Sequence, residues 1–249
     1  MYVDLNCDLG ESYYEKKIGN DEAIIPLISS CNIACGFHGG DPFTIQKTID
    51  LALENRINIG AHPSFPDLEN FGRKFMHLSS EELTACLNYQ IGSLRTMVRV
   101  SGGKLKHVKP HGALYNAAAK DYELAELIVK TIKNIDPNLV LLGMSNSEME
   151  KASKVNNLEF VSEVFADRSY TKMGLLKPRD EKNAMIHDMK ILESQVLSMV
   201  VEKGIYVRDS FIDVKAESIC VHGDNAQALE MVRFLRNIFR KNKIEVASF

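Results

Sequence analysis

The chain repeats one event along its length: a short β-rich run, a polar or glycine-containing break, then an amphipathic stretch. The runs fall at Tyr2–Cys7, Cys31–Phe37, Ile57–Ala61, Leu105–Lys109, Leu139–Met144, Leu158–Phe165 and Ser218–Val221. They are rich in Val, Ile, Leu, Ala and Cys and mostly lack strict alternation, the pattern of parallel strands covered on both faces. Helix signals stand between them. Asp41-Pro42 reads as an N-cap with proline at the first helical position, ahead of Ile45, Ile49 and Leu53. Ser79-Ser80-Glu81-Glu82 has capping-box spacing, and Leu83, Leu87, Ile91, Leu94 and Val98 then share one face. Leu124–Ile135 and Ile191–Val201 repeat that spacing, and Asp224 stands where it can cap a last helix.

Strands alternating with helices build βαβ units and a parallel sheet. About seven such units with no linker rich in Pro, Gly or Ser predict an α/β fold, a (β/α) barrel variant forming one domain over 1–249. One piece departs from the period: Gly204–Ala216 reads as a small hairpin insertion turning at Asp209-Ser210. The tail Ile244-Glu245-Val246 adds an edge or closing strand.

Composition narrows the partners. A net charge of −3 with no basic run gives no footprint for nucleic acid. No apolar run approaches the roughly 18 residues of a membrane span, and the first residues carry acids instead of a basic, apolar leader. Five scattered cysteines complete no zinc pattern, and four of them sit in apolar runs, so a reduced, cytoplasmic protein is expected.

The polar residues gather where each run ends. Asn6, Asp8 and Glu11 follow the first, His38 and Asp41 the second, His62 and Asp67 the third. Lys109 and His111 follow the fourth, Asp167 and Arg168 the sixth, His222 and Asp224 the seventh. A parallel barrel brings all those ends to one face, where active sites of this fold are assembled. Singly, most have plainer explanations. Asp41 and Asp224 suit helix caps, His77 and His187 a solvated surface, His107 a satisfied core position. Lys109 in an apolar run is harder to dismiss, because lysine is seldom buried without a partner. Four histidines from four strand ends point to a site. Asp with two His is a common metal-ligand set, and carboxylates with histidines equally suit metal-free acid–base work. Lys109, Arg73, Arg168 and Arg179 supply positive charge for a carboxylate or phosphate. No Walker sequence, dinucleotide fingerprint or nucleophile elbow is present.

Several strand-end segments together resemble the LamB/YcsF family, the family of 5-oxoprolinase A subunits. They are Asp4-Leu5-Asn6-Cys7-Asp8-Leu9-Gly10-Glu11, Asn32-Ile33-Ala34-Cys35-Gly36-Phe37-His38-Gly39-Gly40-Asp41-Pro42 and Gly60-Ala61-His62-Pro63-Ser64-Phe65-Pro66-Asp67. Further along come Phe71-Gly72-Arg73, Val108-Lys109-Pro110-His111-Gly112-Ala113-Leu114-Tyr115-Asn116, Glu163-Val164-Phe165-Ala166-Asp167-Arg168-Ser169-Tyr170 and Cys220-Val221-His222-Gly223-Asp224. The likeness runs the whole chain in order, with Gly39 standing where the family usually carries alanine.

The resemblance implies a barrel similar to those of polysaccharide deacetylases. The activity it implies is opening of the lactam of 5-oxo-L-proline to L-glutamate, coupled to hydrolysis of ATP. Two partner subunits, B and C, are expected, with ATP and its Mg handled largely by them and no organic cofactor. Asp8, Glu11, His38, His62, Lys109, His111 and His222 are then the expected catalytic group. Asn6, Arg73, Asp167, Arg168, Arg179 and Asp224 are the expected substrate-binding group. No required metal is expected in this chain; a bound one would take Asp8, His38 and His62. Two rivals stay open: a stand-alone metal-dependent deacetylase or amidohydrolase, and a substrate-binding subunit with no catalytic step.

Overall fold

The computed structural model describes residues 1–249. Its first half runs β1 (Tyr2–Leu9), α1 (Asp21–Ile24), β2 (Ser30–Ala34), α2 (Pro42–Glu54), β3 (Asn58–His62), α3 (Ser80–Val100) and β4 (Leu105–Val108). Then follow α4 (Gly112–Ala118), α5 (Tyr122–Ile135), β5 (Val140–Met144), α6 (Glu148–Asn156), β6 (Phe160–Phe165) and α7 (Met189–Leu197). The chain ends with β7 (Gly204–Val207), β8 (Ser210–Asp213), β9 (Ser218–His222), α8 (Ala228–Lys241) and β10 (Glu245–Val246).

Seven strands pair in parallel in the order β1-β2-β3-β4-β5-β6-β9, and β9 pairs back onto β1, so the barrel closes. β10 occupies the edge of β1 below β2. Glu245 and Ala247 donate to the carbonyls of Met1 and Val3, while Ser29 donates to the next carbonyl on that edge, Leu5. The expected hairpin is there as β7–β8, antiparallel, but its turn lies at Arg208-Asp209, one residue earlier than predicted. Arg208 takes the left-handed conformation there (φ 54°), as the first residue of a tight hairpin turn does.

Helix caps follow local chemistry. Asp41 accepts from the amides of Phe43 and Thr44 ahead of Pro42, and Ser79 with Glu82 forms a reciprocal capping box. Asp224 does not cap α8, whose N-cap is Gln227; its carboxylate instead pairs with Arg73. β2 stops at Ala34, short of the predicted Phe37, because Gly36 turns the chain at φ 90°.

Alternation along the strands separates two interiors. On β1, Val3, Leu5, Cys7 and Leu9 point outward into one cluster of 59 buried apolar residues between sheet and helices. Asp4, Asn6 and Asp8, equally buried, point into the barrel. The barrel's inside is therefore polar, apart from a small separate cluster of Val140, Leu142 and Val161 against Phe249. At its base Asp4 accepts from the hydroxyls of Ser29, Ser30 and Ser218. One layer up, Asn32 accepts from His107 (2.7 Å) and donates to Asn6 (2.8 Å). Gly60 makes that layer possible, since a Cβ there would fall inside the His107 imidazole. His107 is thus a core residue held through Nε2 alone, with its buried Nδ1 unpartnered, and its pKa is brought down to about 3 chiefly by burial.

Candidate active site

The top layer of this polar interior opens into a cleft of about 580 Å³ at the C-terminal ends of the strands. At its floor, Lys109, the first residue after β4, is 2 % exposed. Its ammonium lies 2.9 Å from Asp8 Oδ1 and 2.8 Å from Glu163 Oε1, and donates to Asn6 Oδ1 at 3.3 Å and to Cys220 Sγ at 3.1 Å. It also sits 5.2 Å above the Phe165 ring. Burial alone would depress its pKa, but Asp8 and Glu163 hold it well above the ordinary lysine value. Asp8 answers in kind. Burial would lift its carboxyl, yet His62 and the Lys109 ammonium hold it well below the usual carboxylate range. Asn32 donates to the same oxygen at 2.8 Å. Ion pairing of this sort survives burial because both charges keep further hydrogen bonds.

Three residues on, Glu11 is buried just as deeply with the opposite result. Burial, reinforced by the nearby charges of Asp224 and Asp8, holds its carboxyl well above the ordinary value. Its Oε1 lies 3.3 Å from His38 Nε2 and 3.8 Å from His111 Nδ1. Burial pushes both of those imidazoles well below their ordinary pKa. At the Glu11–His38 contact both shifts thus run away from an ion pair.

Two backbone carbonyls aim the remaining histidines. His62 Nδ1 lies 2.7 Å from the carbonyl of Lys109, and His111 Nε2 lies 2.9 Å from that of Phe71. The opposite nitrogens, His62 Nε2 and His111 Nδ1, meet at 2.9 Å. Phe71 holds its carbonyl there from a left-handed conformation (φ 57°), a strain of about 1–3 kcal/mol for a non-glycine residue. Gly72 follows at φ 65°, where a Cβ would press on both His111 and His38.

Across the cleft His222, the last residue of β9, directs Nδ1 to both oxygens of Asp167 (2.9 and 3.1 Å) and stacks on Phe165. Burial would raise Asp167, but His222, Arg179 and Arg168 hold it below its ordinary value. A carboxylate on Nδ1 fixes the tautomer that leaves Nε2 free as a base. Arg73, Arg168, Lys177 and Arg179 line the wall and make it cationic. Arg168 is buried with its Nε unpartnered, and burial together with Arg179 brings its pKa down to about 10.

Asp8, His62, Lys109, His111 and His222 thus line the cleft, with Arg73, Arg168 and Arg179 on its rim. Asp167 stands behind His222, and Asp224 behind Arg73. Asn6 lies a layer lower with its amide fully engaged, donating to Glu163 and Ser218, and so serves as a strut under Lys109. Glu11 and His38 face a second cavity of about 450 Å³. Missing from the expected group were Glu163, the second partner of Lys109, and Tyr115, whose hydroxyl donates to Glu163 Oε2 at 2.9 Å. Their signal was the inward position of Glu163 in a run read as uniformly buried.

The carboxylate gathered with His38 and His62 is Glu11, not Asp8, with His111 as fourth member; their donor atoms all lie within 4.8 Å of one another. That set does not suit one metal ion. The His38 and His111 rings are parallel (1°) with centroids 3.7 Å apart, so an ion on the in-plane lone pair of one lies well off that of the other.

The chain belongs to the LamB/YcsF family, whose model matches residues 3–249. It is 45% identical over 248 residues to the A subunit of the 5-oxoprolinase of Bacillus cereus strain AH820, covering 99% of this chain and 98% of that one. The crystal structure of the lactam utilization protein from Thermus thermophilus superposes with a TM-score of 0.94 at 40% identity, covering all of both chains. A T48 deacetylase solved with substrate shares the fold alone, at a TM-score of 0.50 and 13% identity over 99% of this chain and 87% of that one. No helix is long and apolar enough to cross a membrane.

Proposed function

We propose that this chain is the A subunit of an ATP-dependent 5-oxoprolinase, working with subunits B and C to open the lactam of 5-oxo-L-proline to L-glutamate. The relatives' names point to the substrate. The observation that carries the reading is the cleft itself: a buried Asp8–Lys109–Glu163 floor and an Asp167–His222 dyad beneath a cationic wall.

A five-membered lactam carbonyl is a weak electrophile, and transfer of a phosphoryl group from ATP to its oxygen makes the carbon open to water. Arg168 and Arg179 are suited to the substrate carboxylate or that phosphoryl group. His222 Nε2 takes a proton from the attacking water, whose oxygen bonds to the lactam carbon. The C–N bond breaks, and its electron pair stays on nitrogen, which takes up a proton. A second water releases phosphate from the resulting acyl phosphate, leaving glutamate. Asp8, kept anionic by Lys109, orients water or accepts its proton at the opposite wall. ATP with its Mg is a substrate of the assembly on this reading, handled largely by the partner subunits, and the lack of a Walker sequence in this chain is consistent with that division.

The test is glutamate release from 5-oxoproline by this chain alone and with candidate B and C subunits. Turnover that requires ATP and all three chains is expected. Turnover by the single chain, or hydrolysis that needs a transition metal but no ATP, would overturn it.

A further inference from the structure

The wall between the cleft and the second cavity is made, at its middle, of four titratable side chains. His62 and His111 face the cleft, and Glu11 and His38 face the cavity behind it. Hydrogen-bond partners fix where their protons lie. A carbonyl oxygen can only accept, so His62 must carry hydrogen on Nδ1 and His111 on Nε2. If both rings were neutral, His62 Nε2 and His111 Nδ1 would meet lone pair to lone pair at 2.9 Å, which is repulsive. A hydrogen bond at that distance requires one proton more than two neutral imidazoles hold. Asp8 Oδ2, 3.4 Å from His62 Nε2, supplies the countercharge. On the far side, Glu11 Oε1 stands between His111 Nδ1 at 3.8 Å and His38 Nε2 at 3.3 Å. Burial raises the Glu11 carboxyl well above the ordinary carboxylate pKa, which favours the protonated form that can give a proton to His111.

We infer that Glu11, His111 and His62, with His38 packed beside Glu11, form a proton passage through the wall of the cleft, and that it delivers the proton taken up by the nitrogen during ring opening. This rests on the reading of the cleft proposed above. The shared proton leaves His62 Nε2 for the departing nitrogen. Glu11 passes its own to His111 Nδ1, and through it to His62, and is recharged by a solvent proton from the second cavity. One proton crosses per turnover, and the path stays open while substrate fills the cleft.

Nitrogen-15 NMR of the isolated chain should find one proton bridging His62 and His111, and Glu11→Gln should slow its exchange with water roughly tenfold. In the reconstituted complex the same variant should lower kcat roughly tenfold with KM unchanged, and added imidazole should restore part of the loss. Absence of the bridging proton, exchange unaltered by Glu11→Gln, or a kcat loss that imidazole does not relieve would overturn the passage. The NMR arm needs neither substrate nor partners, so it decides the passage even if the complex fails to act on 5-oxoproline.

Discussion

Asp8 and Glu11 leave the same strand end, three positions apart, and are 4 % and 3 % exposed, yet the pKa of one is held well below the ordinary carboxylate value and that of the other well above it. Burial opposes charge equally in both. What differs is contact: an ammonium lies 2.9 Å from Asp8, while the nearest groups to Glu11 are imidazoles whose own burial keeps them neutral. The lesson is that a buried carboxylate is charged only where its cation is built in beside it. The site divides accordingly into an ionic half on β1, β6 and the residue just past β4, and a second half on the loops after β1, β2 and β4.

The largest effect should come from breaking the ionic half. Lys109→Met leaves Glu163 buried without a cation and Asp8 with His62 alone beside it, moving Asp8 toward the situation of Glu11. Urea denaturation should register a loss of about 3–5 kcal/mol. Asp8→Asn should be gentler on the fold, because Glu163 still partners the ammonium, while turnover falls about a hundredfold or more. A Lys109→Met protein of wild-type stability would show that the two halves do not differ as described.

A smaller effect sharpens the second half. The Glu11 carboxyl titrates at its ordinary 4.5 when unfolded but well above that when folded. Its contribution to stability is therefore full below 4.5 and is lost as pH rises through the folded value. Glu11→Gln removes that loss. The melting temperature of the variant relative to wild type should rise from pH 4 to pH 8. His38 and His111 act in the opposite sense, costing stability as pH falls below their ordinary 6.5; they are common to both proteins and drop out of the difference. A flat difference would mean Glu11 is ionised in the fold.

The smallest effect belongs to the rim. Arg73 and Asp224 also form a carboxylate–cation pair, but Arg73 is about a third exposed. Asp224→Ala should change stability by less than about 1 kcal/mol. A change as large as that of Lys109→Met would erase the distinction between buried and exposed pairs.

Much of this was legible beforehand because strand ends advertise themselves. Glycine turns and polar residues after apolar runs marked Asp8, His38, His62, Lys109, His111 and His222 without any knowledge of which strands are neighbours. Glu163 and Asn32 were not legible as site residues because they lie within runs, and only barrel closure makes the inside polar. The alternation Val3-Asp4-Leu5-Asn6-Cys7-Asp8-Leu9 carried that signal on one strand, yet the others, with mixed inward positions such as Val161 and Glu163 on β6, diluted it. The split of the histidines between two cavities depends on Phe71 and Gly72, whose positive φ no local pattern foretold. Asp224 looked like a cap because cap and ion-pair partner use the same side chain, and only the position of Arg73 decides between them.

Gly60 and His107 lie on neighbouring strands, and the ring of one fills the space that any side chain on the other would need. Neither position can drift alone. A larger residue at 60 must wait for a smaller one at 107, and a smaller residue at 107 strips Asn32 of its 2.7 Å partner beneath Asp8. An evolutionary path that alters this layer has to pass through an intermediate that is either overfilled or short of a hydrogen bond. The two positions are thus expected to change together across descendants of this chain or not at all, which makes the middle of the barrel a slow clock beside the loops above it.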